Sequence, residues 1–334
     1  MEITSVKSIE ITEHSQVSDA RRQVESLITA AGMPEKDRDR TALLCTELGT
    51  NLIKHTARGG QLIVQTILEA ESVGVEIYSI DSGNGMDASE CLIDGFSSAG
   101  TFGTGLGAIK RLADEFNIYS QTGIGSVVQA RVWSEGKQRS EFDIGGVNVP
   151  KKGELISGDK ALIVKTNGVI YCLLVDGLGH GIEAAEAAAL AARRFRENIS
   201  LDTQPMLKLI HSSLRGTRGA VGAVARIDLS KKTVSYCGLG NIEGIIVSGA
   251  SRKHLVSLNG TLGYEAHRFT EFQLPWTPGS TLVMHTDGLS SKTFNSLDEV
   301  ENKPAAMIAG WLYKQHAKDH DDATVLVLKQ QRRQ

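Results

Sequence analysis

Acidic side chains recur in the second half of this chain at the points where apolar strands begin or stop. The run "VIYCLLV" (169–175) ends on Asp176, which sits among Gly177, Gly179 and Gly181. "SGD" puts Asp159 in a turn ahead of a second apolar run, and "LVMHTDG" ends on Asp287-Gly288. "HDDATVLVLK" puts Asp321 and Asp322 just ahead of the last run. A lone Asp-Gly after a strand is ordinarily a turn. Several such sites can converge if their strands belong to one sandwich. Two carboxylates about 4 Å apart repel by about 4 kcal/mol at an effective dielectric of about 20. Hard divalent ions remove that cost and take oxygen ligands. Two ions about 3.5–4 Å apart can bridge a water, lower its pKa and aim it at phosphorus. Glycine after the aspartate lets a backbone carbonyl join the shell.

The first half carries a different set. In "ELGTNLIKH", Glu47, Asn51 and His55 recur every four residues and so share one slowly drifting helix face, beside an apolar face of Leu44, Leu48 and Leu52. An acid and an amide on one face can hold Mg²⁺ and position a nucleophile, although a plain polar face has the same look. "YSIDSGNGM" closes an apolar run with Asp81, Gly83 and Gly85. A buried acid there can accept from an exocyclic amine, and the glycines let backbone approach a ligand; a glycine turn is the bland alternative. "GTFGTGLGAIKR" (100–111) is a glycine-rich loop running into a helix, whose amides favour phosphate. It matches neither the dinucleotide fingerprint nor the P-loop.

These residues need elements to hold them. Residues 2–12 alternate as a strand. A helix is expected over 17–31, with Val17, Ala20, Val24, Leu27, Ile28 and Ala31 on one face, broken by Gly32 and Pro34. A second helix over 35–57, strands over 61–70 and 73–80, a helix over 106–114 and strands over 116–120 and 126–133 complete the first half. The polar "SEGKQRS" (134–140) is a linker. The second half predicts ten short strands, at 141–149, 161–166, 169–175, 220–228, 232–239, 243–248, 253–258, 268–274, 281–286 and 323–329. Helices are expected there over 180–197, 204–215 and 297–317. Strands clustered apart from helices indicate an α+β sandwich in each half.

Bulk composition agrees. The 334 residues suffice for about two domains, and a net charge of −3 gives no nucleic-acid footprint. Cys45, Cys91, Cys172 and Cys237 form no CxxC pair and read as reduced core thiols. The N-terminal stretch lacks a signal-peptide apolar region, and no apolar run approaches the about 18–20 residues of a membrane helix. A soluble, cytoplasmic protein is expected, with no membrane or nucleic-acid partner.

The order SGD, DGxGHG, TDG, DDxT resembles the metal-dependent PPM (type 2C) serine/threonine phosphatases, in their SpoIIE/RsbX-type branch, over about 140–330. The resemblance implies an αββα sandwich with two Mn²⁺ or Mg²⁺ ions, ligated by Asp159, Asp176, the Gly177 carbonyl, Asp287 and Asp321. Asp176 would bridge the two metals, with Asp176 and Asp287 as catalytic residues. Asp321 is preferred over Asp322 because the first acid of DDxT matches the family ligand. No clear arginine holds the phosphate. His180 could give a proton to the leaving oxygen, or cap or pack a helix.

The three first-half motifs, in their order and spacing, resemble the N, G1 and G2 boxes of the GHKL (Bergerat) ATP-binding fold. The stretch from "DGFSSAG" onward looks like the RsbT-type switch serine kinases and their anti-sigma-factor relatives. This likeness covers nearly all of 15–133. It implies ATP with Mg²⁺: Asp81 on adenine, Asn51 on the metal, Glu47 as base or water organiser, and Gly83, Gly85, Gly103, Thr104, Gly105, Leu106 and Gly107 around the nucleotide. Asn84 stands where proline is often seen, which implies a looser loop.

The fold expected is therefore α+β, an N-terminal Bergerat (GHKL) α/β sandwich (1–135) followed by a PPM αββα sandwich (140–334). The families resembled act on STAS-domain antagonist proteins in partner switching. The combined reading is a bifunctional regulator that phosphorylates such a protein with one half and dephosphorylates it with the other. The alternative makes the first half a non-catalytic ATP-binding module that binds a sigma factor, another downstream regulator or the STAS partner. A third makes it a nucleotide sensor for the phosphatase. A generic histidine kinase is disfavoured, because no dimerising hairpin with a phospho-acceptor histidine precedes the ATP motifs.

Overall fold

The structure is a computed structural model that describes residues 1–69, 72–86, 105–134 and 140–331. The chain divides into two compact units, Thr4–Arg139 and Ser140–Gln334, with Met1–Ile3 counted in the latter.

The first unit contains β1 (Glu2–Ile11, from Thr4 on), α1 (His14–Ala30), α2 (Glu35–His55), β2 (Gly60–Glu69), β3 (Ser72–Asp81), α3 (Gly105–Leu112), β4 (Glu115–Gln121) and β5 (Gly125–Trp133). Its strands lie in the order β1-β2-β3-β5-β4. The helix periodicity of α1 and α2 buries Val17, Ala20, Val24, Leu44, Leu48 and Leu52 against Leu62, Val64, Val75, Ile77 and Val128 of the sheet. Helix α1 starts three residues ahead of the apolar pattern, because Glu13 and Gln16 form a reciprocal capping box. Helix α2 opens after Pro34 with Glu35 and Asp37 in its first turn and closes with Lys54 and His55 in its last, charges that suit the helix dipole.

The alternate face of this sheet carries polar side chains that are nonetheless buried. Glu76 stands opposite Gln65 on β2 and Arg131 on β5. It accepts from Gln65 Nε2 at 2.8 Å, Gln129 Nε2 at 2.7 Å and Arg131 Nη2 at 2.7 Å. Burial still pushes its carboxyl up, against the pull of Arg131.

The second unit contains β6 (Phe142–Val149), β7 (Asp159–Thr166), β8 (Val169–Gly177), α4 (Ile182–Glu197), α5 (Thr203–Ser213), β9 (Ala220–Asp228), β10 (Thr233–Leu239), β11 (Glu243–Ser248), β12 (Ser251–Leu255) and β13 (Phe272–Pro275). It ends with β14 (Thr281–His285), the single turn α6 (Leu297–Val300), α7 (Ala305–His316) and β15 (Ala323–Gln330). Two antiparallel sheets form, β13-β10-β9-β8-β7 and β12-β11-β14-β15-β6. Helices α4 and α5 cover the first sheet and α7 the second, giving αββα layers. The alanine-rich face of α4 (Ala187, Ala188, Ala191, Ala192) lets the helix lie close on Tyr171, Leu173 and Val175.

The single helix expected over 297–317 is broken. Pro304 cannot continue the α6 turn, and α7 restarts after it. Asp143 of β6 supplies the missing cap, accepting the Ala305 N–H at 2.8 Å. Strand β13 is also shorter than expected and pairs only over Phe272–Pro275. Asp143→Ala should destabilise the second unit by about 0.5–2 kcal/mol, the usual cost of a lost helix cap. Urea unfolding checks this, and an unshifted midpoint would show that the cap carries no stability.

Candidate active sites

Strands β7 and β8 pair so that Asp159 and Asp176 stand directly opposite each other. Asp159 is therefore the first residue of β7, not part of the turn before it. It is 1% exposed, and its Oδ2 accepts the Thr286 hydroxyl at 2.8 Å. Its Oδ1 is buried with no hydrogen-bond partner among the described residues. Thr286 is itself pinned by β15, through Thr324 N–H to its hydroxyl at 3.0 Å. Asp287, next in the chain, accepts from Asn241 Nδ2 at 2.6 Å, while Lys318 Nζ donates to its backbone carbonyl at 2.5 Å. Gly177 N–H donates to Gly158 O at 3.0 Å, and a side chain at Gly177 would run into the Ala184 carbonyl of α4 at 2.2 Å.

Asp321 and Asp322 divide their work. Asp322 is 3% exposed, and its two oxygens accept the Lys151 and Gly158 N–H groups at 2.7 and 2.9 Å. It ties two loops together. Asp321 is more open and, among the described residues, accepts only the Asp322 N–H at 3.0 Å. Of the two, Asp321, preferred as a ligand from its place in DDxT, has the oxygens to spare.

These acids press on one another. Burial pushes Asp159 up to about 7. It pushes Asp176 up to about 10, helped by the negative charge of Asp159, Asp287, Asp321 and Asp322. Burial also raises Asp287 and Asp322. Every free donor atom here is oxygen, so the group suits a hard divalent cation. Among the described residues no three His, Cys, Asp or Glu side chains stand close enough to clasp one ion alone. Such an open set suits an ion that keeps several waters. His180, half-exposed, meets Glu154 Oε1 through Nδ1 at 2.6 Å, and no side chain caps α4 at Gly181, so the histidine is not a helix cap.

In the first unit, Glu47 and Asn51 lie on α2, half-buried, and neither side chain makes a hydrogen bond or ion pair among the described residues. His55 is exposed at the helix end. Asp81 ends β3, buried, with Oδ1 accepting the Gly83 N–H at 2.7 Å. A Cβ at Gly83 would meet Thr56, just past α2, at 3.5 Å, so the Asp81 turn stands against the end of that helix. The turn is firmly held despite Asn84. Gly123 N–H donates to Asn84 O at 2.9 Å, and Met86 N–H donates to Ser120 Oγ at 2.7 Å. Gly85 has φ +74° beside the Gln121 carbonyl, where a side chain would clash. Gly105, Leu106 and Gly107 open α3, but the Leu106 side chain packs on the core, which leaves only its backbone for a ligand. Gly103 and Thr104 lie outside the described residues, as does Cys91; Cys45, Cys172 and Cys237 are free and buried. No helix among the described residues is long and apolar enough to cross a membrane.

Residues 12–132 match the histidine kinase-like ATPase domain family, and residues 166–331 match the stage II sporulation protein E (SpoIIE) family. The chain is similar to the serine/threonine-protein kinase RsbT of Bacillus subtilis (strain 168), at 31% identity over 115 residues, 34% of this chain and 86% of RsbT. It is also similar to the phosphoserine phosphatase RsbX of the same organism, at 24% identity over 160 residues, 46% of this chain and 80% of RsbX. A crystal structure of RsbX in complex with magnesium has the same fold over 58% of this chain and 97% of that one, with TM-score 0.53 and 21% identity. A structure described as "The bacterial stressosome: a modular system that has been adapted to control secondary messenger signaling" matches at TM-score 0.54 and 28% identity, over 57% of this chain and 100% of that one.

Replacing Asp176 by Asn removes the most crowded charge. In chelator this variant should be more stable than wild type by about 1–3 kcal/mol, the scale for a buried polar group without a partner. Added Mg²⁺ at about 100 times its Kd should stabilise wild type by about 2.7 kcal/mol and the variant far less. Thermal unfolding with and without EDTA reads both. Equal melting of the two proteins in EDTA would show that the carboxylates do not strain one another.

Proposed function

The chain belongs to the histidine kinase-like ATPases of RsbT type through its first half and to the SpoIIE-type PPM phosphatases through its second, and from that premise we propose a bifunctional partner-switching regulator. The second half, 140–334, hydrolyses phosphoserine or phosphothreonine on a STAS-domain antagonist protein. The first half, 1–135, phosphorylates the same protein from ATP. The observation that carries the hydrolase is the convergence of Asp159, Asp176, Asp287 and Asp321 with a buried Asp159 Oδ1 that has no protein partner. These four acids and the Gly177 carbonyl would hold the metal. Mg²⁺ and Mn²⁺ both suit the oxygen set. Bound there, a divalent metal lowers the pKa of water and draws charge from the phosphoryl oxygens. The chain's own part is placement. Thr286 fixes Asp159, Asn241 fixes Asp287, and Asp322 holds the loops that carry Gly158 and Lys151.

In the first half, the unpartnered Glu47 and Asn51 support the kinase. Asn51 would bind the Mg²⁺ of Mg-ATP, and Glu47 would take the hydroxyl proton. Asp81 would accept from the adenine amine through Oδ2. Gly83, Gly85 and the start of α3 would admit the nucleotide, with Gly103–Gly107 at the phosphates. Phosphoryl transfer asks a protein mainly for such positioning and charge neutralisation. The chain acts in the cytoplasm, where ATP and a STAS partner are at hand.

The test is a phosphate-transfer time course with labelled Mg-ATP, STAS-domain proteins from the same genome, and the full chain as wild type, Asp287→Asn and Glu47→Gln. Label on a STAS serine or threonine should persist with Asp287→Asn, turn over with wild type and fail to form with Glu47→Gln. If neither wild type nor Asp287→Asn labels any STAS protein, the kinase assignment falls, and the first half is a nucleotide- or sigma-factor-binding module joined to a phosphatase. Loss of both activities in Asp287→Asn would argue against independent sites.

A further inference from the structure

The Arg218 loop stands beside the loop that follows Asp176, in a way no motif announced. Arg218 lies two residues before Ala220, which pairs with Gly177, while Val221 pairs with Asp176. Leu178 N–H donates to Gly219 O at 3.0 Å, which ties the Arg218 loop to the loop that follows Asp176. The guanidinium lies over Gly179, and a Cβ there would sit 2.6 Å from Arg218 Nη1. Gly179 also has φ +89°, so its backbone favours glycine, while the arginine tip above it is free to shift. Among the described residues the acid that Arg218 meets is Glu183, through Nε at 2.7 Å, and the two side chains are 48% and 68% exposed. An ion pair so open to water is weak. A phosphate dianion offers the guanidinium two oxygens in a fork and displaces such a partner readily.

The surroundings of Arg218 are apolar. Of the eight large hydrophobic side chains exposed among the described residues, four (Leu155, Ile156, Leu178 and Tyr264) belong to the loops that meet here and a fifth, Ile182, opens α4 beside them. Leu155 and Ile156 follow Glu154, which is bonded to His180. Tyr264 donates its hydroxyl to Thr217 O at 3.0 Å, next to Arg218. A rim of this kind, 83% exposed at Leu155 and 71% at Ile182, is a marker of a protein-binding site. We propose that Arg218 holds the phosphate of the incoming phosphoserine and that this apolar rim seats the residues flanking it on the partner protein. The occupant is a phosphorylated polypeptide with apolar residues beside the phosphoserine, because the cation and the rim are contiguous. The inference rests on the phosphatase reading and adds to it the groups that select the substrate.

The experiment uses the full chain with Mg²⁺ or Mn²⁺ and three probes: p-nitrophenyl phosphate, a phosphoserine peptide with leucine and isoleucine flanks, and the same peptide with serine flanks. Arg218→Ala should raise KM for all three, and the inhibition constant of inorganic phosphate, by about ten-fold each, with kcat within about two-fold. Arg218→Lys should recover part of the loss. Ile182→Ser should raise KM for the apolar peptide alone. Melting temperatures should match wild type, since both side chains are largely exposed. If wild type turns over p-nitrophenyl phosphate but Arg218→Ala leaves KM and phosphate inhibition unchanged, Arg218 is not the phosphate group. If Ile182→Ser leaves discrimination between the peptides intact, the rim does not read the flanks. A wild type that hydrolyses none of the probes with either metal removes the phosphatase reading, and this inference with it.

Discussion

Two carboxylates facing each other across an antiparallel ladder set the terms for the second unit. Like charges directly opposite in a sheet are destabilising, and Asp159 and Asp176 occupy such a pair at the end of a buried strand. The neighbourhood is built around that conflict. Thr286 crosses from the other sheet to hold one oxygen of Asp159, and Thr324 holds Thr286 in turn. Asp322 draws the Lys151 and Gly158 amides inward. Gly288 passes the Asp322 carbonyl so closely that a Cβ would stand 1.8 Å from it. The Thr286 contact leaves the other oxygen of Asp159 free instead of satisfying it, and on the proposed reading this is what separates a cation site from a buried salt bridge. An arginine at the same point would quench the repulsion and close the site to metal.

The first unit meets the opposite problem and solves it internally. Glu76 is fully buried, yet Gln65, Gln129 and Arg131 all donate to it. That network leaves the carboxylate satisfied, so it is architecture. The free groups lie on the other side of the sheet, on α2, where Glu47 and Asn51 have no partner among the described residues. Glu76 and Glu47 thus differ in kind, and on the proposed reading it is the unsatisfied acid that takes part in chemistry.

Much of this was readable from residue order. Apolar runs interrupted by Asp-Gly announced the strand ends, and a four-residue recurrence announced the face of α2. What stayed hidden depends on distant partners. The buried ladder around Glu76 has the alternation of a solvent-facing strand, because a pattern of polar residues does not tell whether anything covers them. Asp322 and Asp321 are adjacent in sequence, and only the Lys151 and Gly158 amides tell them apart. Arg218 gave no signal at all, for it lies 42 positions from Asp176 and is brought near by the β8–β9 register. The break before α7 could have been read from Pro304, although its cap, Asp143, is 162 positions away.

On the proposed reading, the two sites also differ in where their cation comes from. A nucleotide arrives with Mg²⁺ already on its phosphates, so the protein need add little more than the neutral amide of Asn51. A phosphoserine brings no metal. The hydrolase must therefore recruit its own from solution, and buried carboxylates crowded together, with Asp176 pushed up first by burial and then by its acidic neighbours, would favour a cation there. The same charge would repel an incoming phosphate dianion. A positive group at the rim resolves the contradiction, provided that it is not drawn into the acids themselves. Arg218 meets that condition: it lies over Gly179 and pairs with Glu183, on the first turn of α4, not with the acids of the site. The acidic centre and its exposed arginine are then two halves of one electrostatic arrangement, the first selecting the metal and the second the phosphate.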